Sequence, residues 1–488
     1  MTTSMRNGEP EQPRLERDLL RKRLLFTGCA IALLVALLSL LGYTRLLQLP
    51  PALLSSLRWL AAIVFLAYAV IRKSLTTWIL VSMLVGGLFG YDFPGVALNL
   101  RVLSTVFLRL VKTIIAPLIF ATLIIGIAGQ GDLTKVGRMG IRALVYFFIV
   151  TTIALVIGAA AINISQAGRG ITLPPQTGGE ELPQVKPIKG SEIILNAVPE
   201  NIAKSIAENQ MLQIVVFSLL FGVALARLPE AKRLPMYGWI ESLAEVMFKF
   251  TNLVMYFAPI GVGAAIAYTV AHMGLGILVN LFKLLATLYL ALAVFLLAVL
   301  LPIALFAHVN LKRFVRYIAQ PVSIAFATTS SDAALPRALE QMEKYGVPRR
   351  IVSFVLPTGY TFNLAGTTLY LSLACIFVAQ AAGMQLTFEQ QVLMLLTLML
   401  TTKGLAAVPR TSLVVLLGTA TTFGIPLEPI FLIVGIDHVM DMARTAVNTI
   451  GNCLASVIIA KWEGQVEGTA EVASLSPPPV QTEFETGV

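Results

Sequence analysis

Long apolar runs alternate with short polar breaks along most of the chain. Runs at 24–43, 53–71, 76–91, 103–128 and 141–164 approach or exceed the roughly 20 residues a helix needs to cross a bilayer. A polar loop at 165–192, rich in Gly and Pro, predicts an exposed connection. Apolar runs at 195–228, 247–270 and 275–308 follow. The breaks are basic: Arg14, Arg17, Arg21, Lys22 and Arg23; Arg72 and Lys73; Lys135, Arg138 and Arg142; Lys232 and Arg233; Lys312, Arg313 and Arg316. The positive-inside rule places such clusters on the cytoplasmic face. It predicts ten crossings with both termini inside.

The pattern changes beyond residue 319. Segment 324–335 (IAFATTSSDAAL) is small and hydroxyl-rich. Segment 351–380 is a span interrupted by Pro357, Gly359, Asn363 and Gly366. Segment 392–417 is apolar at both ends and broken by Lys403, Gly404 and Pro409. Short apolar segments split by helix breakers predict re-entrant hairpins and a broken helix, because irregular backbone at membrane depth survives only against protein or a water-lined cavity. Broken half-helices near mid-membrane point to a transporter's binding site.

The last apolar stretch, 431–462, carries the chemistry. Asp437, Asp441, Arg444, Thr445, Asn448 and Asn452 fall at i, i+4, i+7, i+8, i+11 and i+15. At about 100° per residue they form one polar stripe roughly 100° wide. A charge at bilayer depth costs at least about 2.5–3.5 kcal/mol, so the stripe faces protein or a cavity. An Asp one turn before an Arg, followed by amides, suits a molecule bearing both an amine and a carboxylate; an Asp–Arg pair that only locks helices together is the plainer alternative. The tail 463–488, with Glu463, Glu467, Glu471, Glu483, Glu485 and a proline triplet, has the composition of a disordered segment.

Composition agrees with a polytopic membrane protein: the 488 residues are 57% apolar and 13% charged, against about 45–50% and 25% in soluble domains. The net charge of +10 lies in the short clusters and is no nucleic-acid signature. Cys29, Cys375 and Cys453, and His272, His308 and His438, form neither a disulfide framework nor a metal site. The first apolar run lacks a small-residue cleavage site, so no cleavable leader is expected. No nucleophile–base pair, metal cluster or phosphate loop supports an enzyme.

Three motifs together resemble the dicarboxylate/amino acid:cation symporter family, which includes the excitatory amino acid transporters. They are TTSSDAALP (328–336), PTGYTFNLAGTTLY (357–370) and DMARTAVNTIGN (441–452), supported by FLRLVKTIIAPLIFATLIIGIA (107–128) and NQMLQIVVFSLLFGVALA (209–226). The resemblance spans about 73–461 and looks closest to the bacterial proton–glutamate branch. It implies an all-α elevator fold with eight core transmembrane helices and two re-entrant hairpins, to which this chain adds two N-terminal helices. The implied division is a cytoplasmic segment at 1–23, extra helices at 24–72, scaffold and first transport-domain helices at 73–308, and hairpin 1 at 309–350; the broken helix at 351–384, hairpin 2 at 385–425, the last helix at 426–462 and a cytoplasmic tail at 463–488 follow. It further implies a homotrimer embedded in lipid in the bacterial inner membrane.

By position in those motifs, Ser330 and Ser331 would form the first hairpin tip and Ala407, Val408, Pro409 and Ser412 the second, gating tip. Thr367 follows the helix break. Asp441 would take a substrate amine, Arg444 its side-chain carboxylate, and Thr445 and Asn448 its α-carboxylate. Arginine's planar fork fits a carboxylate bidentately, and half-helix N-termini favour anions. The sequence departs from the sodium-coupled pattern: Ala365 and Asn452 stand where sodium-binding members carry aspartate. Hard cations want oxygen ligands, and charged ones above all; Asn363, Thr361, Thr151 and Thr152 supply only neutral oxygens. Ala365 is unusual even in the proton-coupled branch. Leu371 replaces the acidic proton carrier of the animal members. Arg410 replaces a small residue at the gate, where it stands in for a cation, reaches a substrate or snorkels to water. Asp332 and Asp437 are the candidate proton carriers, against a helix N-terminal role for the first and a bond to the broken helix for the second. The expected function is secondary transport of glutamate or aspartate without cofactors, proton-coupled or uncoupled rather than sodium-coupled. The alternatives are a C4-dicarboxylate carrier, a sodium symporter with rebuilt sites, and a substrate-gated anion channel or sensor.

Overall fold

The computed structural model describes residues 11–43, 50–128, 133–171, 198–207, 211–404, 411–427 and 429–464. Every regular element among them is helical. The loop around 172–197, the tip at 405–410 and the tail from 465 lie outside the described residues.

Helix Ile430–Trp462 is the axis of the molecule. Its 33 residues span about 50 Å, and nearly all of 432–460 is buried. The helices Leu311–Thr328, Ser331–Tyr345, Arg349–Phe362, Ala365–Ala381, Ala258–Met273 and Ile277–Phe295 all pack on it. A helix buried all round is a core helix, so the polar stripe faces protein on every side. That stripe keeps this helix out of the set that could cross a membrane on length and composition alone. Six helices among the described residues belong to that set, seven when the pair Glu230–Met255 and Ala258–Met273 counts as one bent span.

This bent pair differs from expectation. The run 247–270 reads as one span, yet the backbone bends by 48° between the two helices, where Pro259 opens the second. Proline lacks the N–H that would continue the ladder. The run 275–308 is one continuous span, Ile277–Phe306, which contains a π-helical turn at Leu296–Leu300 next to Pro302. In the run 195–228 the described helices are Ile202–Ala207 and Met211–Ala226. A single helix, Glu11–Tyr43, carries the basic cluster and the first apolar run together.

Two helical pairs lie at 311–345 and 388–422, where the breakers predict hairpins. Leu311–Thr328 and Ser331–Tyr345 pack on each other across Thr329 and Ser330. Thr329 takes the left-handed conformation at φ 54° that ends the first arm. Ser330 caps the second arm by accepting from the Ala333 N–H at 3.3 Å. Phe388–Thr401 starts with a full capping box between Thr387 and Gln390 and packs against Thr411–Thr422.

The second N-terminal helix, Pro51–Arg72, packs on Leu75–Asp92 and is tied to it at one carboxylate. Asp92, at the end of Leu75–Asp92, accepts from Arg58 Nη2 at 3.0 Å, Trp59 Nε1 at 2.9 Å and Ser55 Oγ at 3.3 Å. All three donors lie on Pro51–Arg72. On its other side Leu75–Asp92 lies against Ala258–Met273 at backbone contact. A Cβ on Gly86 would fall 2.2 Å from the Gly263 carbonyl oxygen, and one on Gly90 2.3 Å from that of Ala267. This is the small-xxx-small seam of close-packed membrane helices.

Replacing Asp92 with Ala orphans Arg58 and Trp59 together. We expect a loss of about 1–3 kcal/mol, measured as a lower unfolding midpoint in detergent, with earlier protease cleavage between the second and third helices.

Candidate functional site

The site is built at the break between Arg349–Phe362 and Ala365–Ala381. Pro357 lies inside the first half-helix. Asn363 and Leu364 leave helical geometry at φ/ψ −125°/53° and −86°/60°. A break of this kind strands carbonyls at the first half's C-terminus and N–H groups at the second half's N-terminus, and buried orphans of either kind are costly.

Asn448 meets the stranded donors. Its Oδ1 accepts from Gly366 N at 2.8 Å and Thr367 N at 3.2 Å, and its Nδ2 donates to Thr367 Oγ1 at 2.8 Å. Lys403 meets the stranded acceptor: its Nζ donates to the Phe362 carbonyl at 3.0 Å and to Thr151 Oγ1 at 2.6 Å. Gly366 permits the approach, since a Cβ there would lie 2.5 Å from the Arg444 carbonyl oxygen.

One turn away sits a buried charge cluster. Arg444 is 1% exposed and Asp437 0%, so neither charge meets water. Arg444 donates from Nε to Asp441 Oδ1 at 2.9 Å and from Nη1 to Asp437 Oδ1 at 3.1 Å. Thr445 Oγ1 adds a bond to Asp441 Oδ1 at 3.0 Å. Tyr370 donates its hydroxyl to Asp437 Oδ1 at 2.9 Å, and its ring lies 4.0 Å from the guanidinium carbon. Arg444 Nη2 and Asp437 Oδ2 are buried without a hydrogen-bond partner among the described residues. A guanidinium with one nitrogen unused can donate to a further acceptor.

A third cluster joins Asn363 and Asn452, both fully buried. Asn363 Nδ2 donates to Asn452 Oδ1 at 3.0 Å, leaving Asn363 Oδ1 and Asn452 Nδ2 unpartnered among the described residues. Ala365 is 1% exposed and offers no polar atom there. Thr361 is half-buried near the end of the first half-helix. Thr151 spends its own proton on the Phe147 carbonyl at 2.7 Å and presents its lone pairs to Lys403. Thr152 bonds the Phe148 carbonyl.

Thus Thr367 meets Asn448, Asn363 meets Asn452, and Asp437, Asp441 and Thr445 gather with Arg444, in three groups spaced along one helix. Asn448 holds the second half-helix's N-terminus here, so its first task is positional. Of the first-tip residues, Ser331 is buried, Ser330 is half-buried as a cap, and Asp332 is exposed in the first turn of its helix. Ser412 is buried, and its hydroxyl has no partner among the described residues. Ala407, Val408, Pro409 and Arg410 lie outside the described residues. Sequence reasoning missed two contributors. Tyr370 closes the broken-helix motif and could have been flagged as a buried hydroxyl near carboxylates. Lys403 was legible only as a helix breaker.

A sequence model of the sodium:dicarboxylate symporter family matches residues 75–462. The chain is 42% identical over 393 residues to a proton/sodium-glutamate symport protein of Bacillus caldotenax, covering 79% of this chain and 93% of the relative. It is 41% identical over 411 residues to the proton/glutamate-aspartate symporter of Escherichia coli (strain K12), covering 80% and 94%. It is 39% identical over 420 residues to a C4-dicarboxylate transport protein of Solibacter usitatus (strain Ellin6076), covering 85% and 98%.

Removing the Asp437 carboxylate by substitution with Ala orphans both the Tyr370 hydroxyl and Arg444 Nη1. The expected loss is about 1–3 kcal/mol for each buried donor, read as a lowered unfolding midpoint. Asp437→Asn retains an acceptor, and Tyr370→Phe removes one bond while keeping the ring; both should lose less.

Proposed function

The chain belongs to the sodium:dicarboxylate symporter family, and from that membership we propose that it is a secondary transporter of acidic amino acids, glutamate or aspartate, across the cell membrane. The observation that carries the reading is Arg444, buried between Asp437 and Asp441 with Nη2 unused. The relatives named for glutamate and aspartate transport support the same substrate class.

The charge arrangement suits an amino acid better than a plain dicarboxylate. A substrate carboxylate takes the unused Nη2 and draws Arg444 from Asp441. Asp441 then needs a cation, which the substrate's amine provides; without one it would be a buried unpaired charge. Thr445 keeps Asp441 oriented through its hydroxyl, and Thr367 and Asn448 offer polar groups for the α-carboxylate at the helix N-terminus. A C4-dicarboxylate, which the Solibacter relative's name indicates for that protein, lacks the amine and is the second reading.

Coupling follows from the neutral residues. Ala365 and the Asn363–Asn452 pair supply no carboxylate beside the break. This supports proton-coupled or uncoupled movement over sodium coupling. We further propose a homotrimer in which each protomer has a scaffold and a transport domain that rises and falls as an elevator, with hairpins at 309–350 and 385–425 closing over the substrate; membership of the family supports this reading.

In proteoliposomes, uptake of labelled glutamate or aspartate should survive replacement of sodium by choline and should be driven by an inward proton gradient or run as exchange alone. A strict sodium requirement would contradict the coupling assignment. Arg444→Ala should abolish binding of both amino acids; unchanged affinity would sink the site. Aspartate should also displace succinate in competition, the reverse order favouring the dicarboxylate reading.

Restoring carboxylates with Ala365→Asp and Asn452→Asp together should make substrate affinity depend on sodium concentration. Titration of binding against sodium chloride at constant ionic strength reads this directly.

A further inference from the structure

Transporters of broken-helix design hold coupling cations at unwound backbone carbonyls and half-helix C-termini, where the dipole's negative end and free oxygens converge. In this chain such a place exists and a side chain fills it. The Phe362 carbonyl closes the first half-helix, and Lys403 Nζ lies 3.0 Å from it and 2.6 Å from Thr151 Oγ1. The Phe148 ring lies 6.0 Å from the same ammonium, a cation–π separation. The adjacent Asn363 is fully buried, with its Oδ1 unpartnered among the described residues.

We propose that Lys403 is a tethered cation, doing permanently what a soluble coupling ion would do between hairpin 2 and the broken helix. The inference rests on the transporter reading and names the ion requirement of that same site. A lysine at a helix end ordinarily snorkels to water along its aliphatic stem. This one turns inward to oxygens from two other helices. It sits on the turn Thr402–Gly404 that ends the arm Phe388–Thr401, so its bonds pin that arm to both the first half-helix and Leu133–Ser165. Lys403 brings one positive charge to this break, where Ala365 and the Asn363–Asn452 pair bring no negative one. Two of the ammonium's three donors are used by the bonds above.

The test uses the full chain in lipid nanodiscs, in choline, sodium, lithium or methylammonium chloride at constant ionic strength. Glutamate and aspartate binding is measured by calorimetry, and ligand-free unfolding midpoints are measured in parallel. The wild-type protein should bind with the same affinity in every salt. Lys403→Gln should bind about 10- to 100-fold more weakly in choline and recover in sodium or methylammonium. Lys403→Arg should keep the wild-type indifference to salt. Wild-type affinity that rises saturably with sodium overturns the proposal, whether or not the variants fold. So does a Lys403→Gln protein that binds like wild type in choline. The ligand-free midpoint separates the two readings: Lys403→Gln should unfold earlier in choline and regain stability in sodium or methylammonium. If that holds while the wild-type protein binds neither amino acid, the substrate reading fails and the tethered cation stands. A midpoint indifferent to the salt overturns the tethered cation even where binding is seen.

Discussion

A helix interrupted inside an apolar body must have its stranded backbone groups answered by side chains, and that demand organises this protein. Asn448 answers the donors at Gly366 and Thr367, and Lys403 answers the acceptor at Phe362. Each answer comes from a different helix, so the break is also a joint. Helix Ile430–Trp462 sits at its centre because only a fully enclosed helix can present Asn448, Asn452 and Arg444 to it without exposing them to lipid.

The same enclosure explains the charge cluster. An arginine with 1% exposure is tolerable only when held by carboxylates and further hydrogen bonds. Asp437 and Asp441 supply the carboxylates, and Tyr370 fixes Asp437 while stacking on the guanidinium. The cluster is then both structural and chemically open: its bonds hold two helices together, and one nitrogen of the guanidinium is left over.

Much of this is legible in the order of residues alone. The stripe from Asp437 to Asn452 follows helical spacing, and a charged residue in an apolar run must turn toward protein or a cavity rather than lipid. The broken helix announces itself through Pro357, Gly359, Asn363 and Gly366. What cannot be read is partnership across the chain. Nothing local says that Lys403 bonds Thr151, 252 positions earlier, or that Asn448 spends its amide on a half-helix. The bend at Tyr256 and Phe257 is hidden for a simpler reason: the apolar pattern runs straight through it, and Pro259 can equally open a helix or kink one. The role of the second N-terminal helix also depends on a distant partner, Asp92.

The C-terminal end of the axial helix is clamped twice. Lys461 Nζ bonds the carbonyls of Ala307 and His308 at 2.6 and 2.8 Å, and Arg142 pairs with Glu463 at 2.8 Å. These tethers reach two separate stretches of chain. The last turn of the axial helix is thereby tied to the 307–308 turn on one side and to Leu133–Ser165 on the other, so its position is shared by parts of the chain more than 150 residues apart.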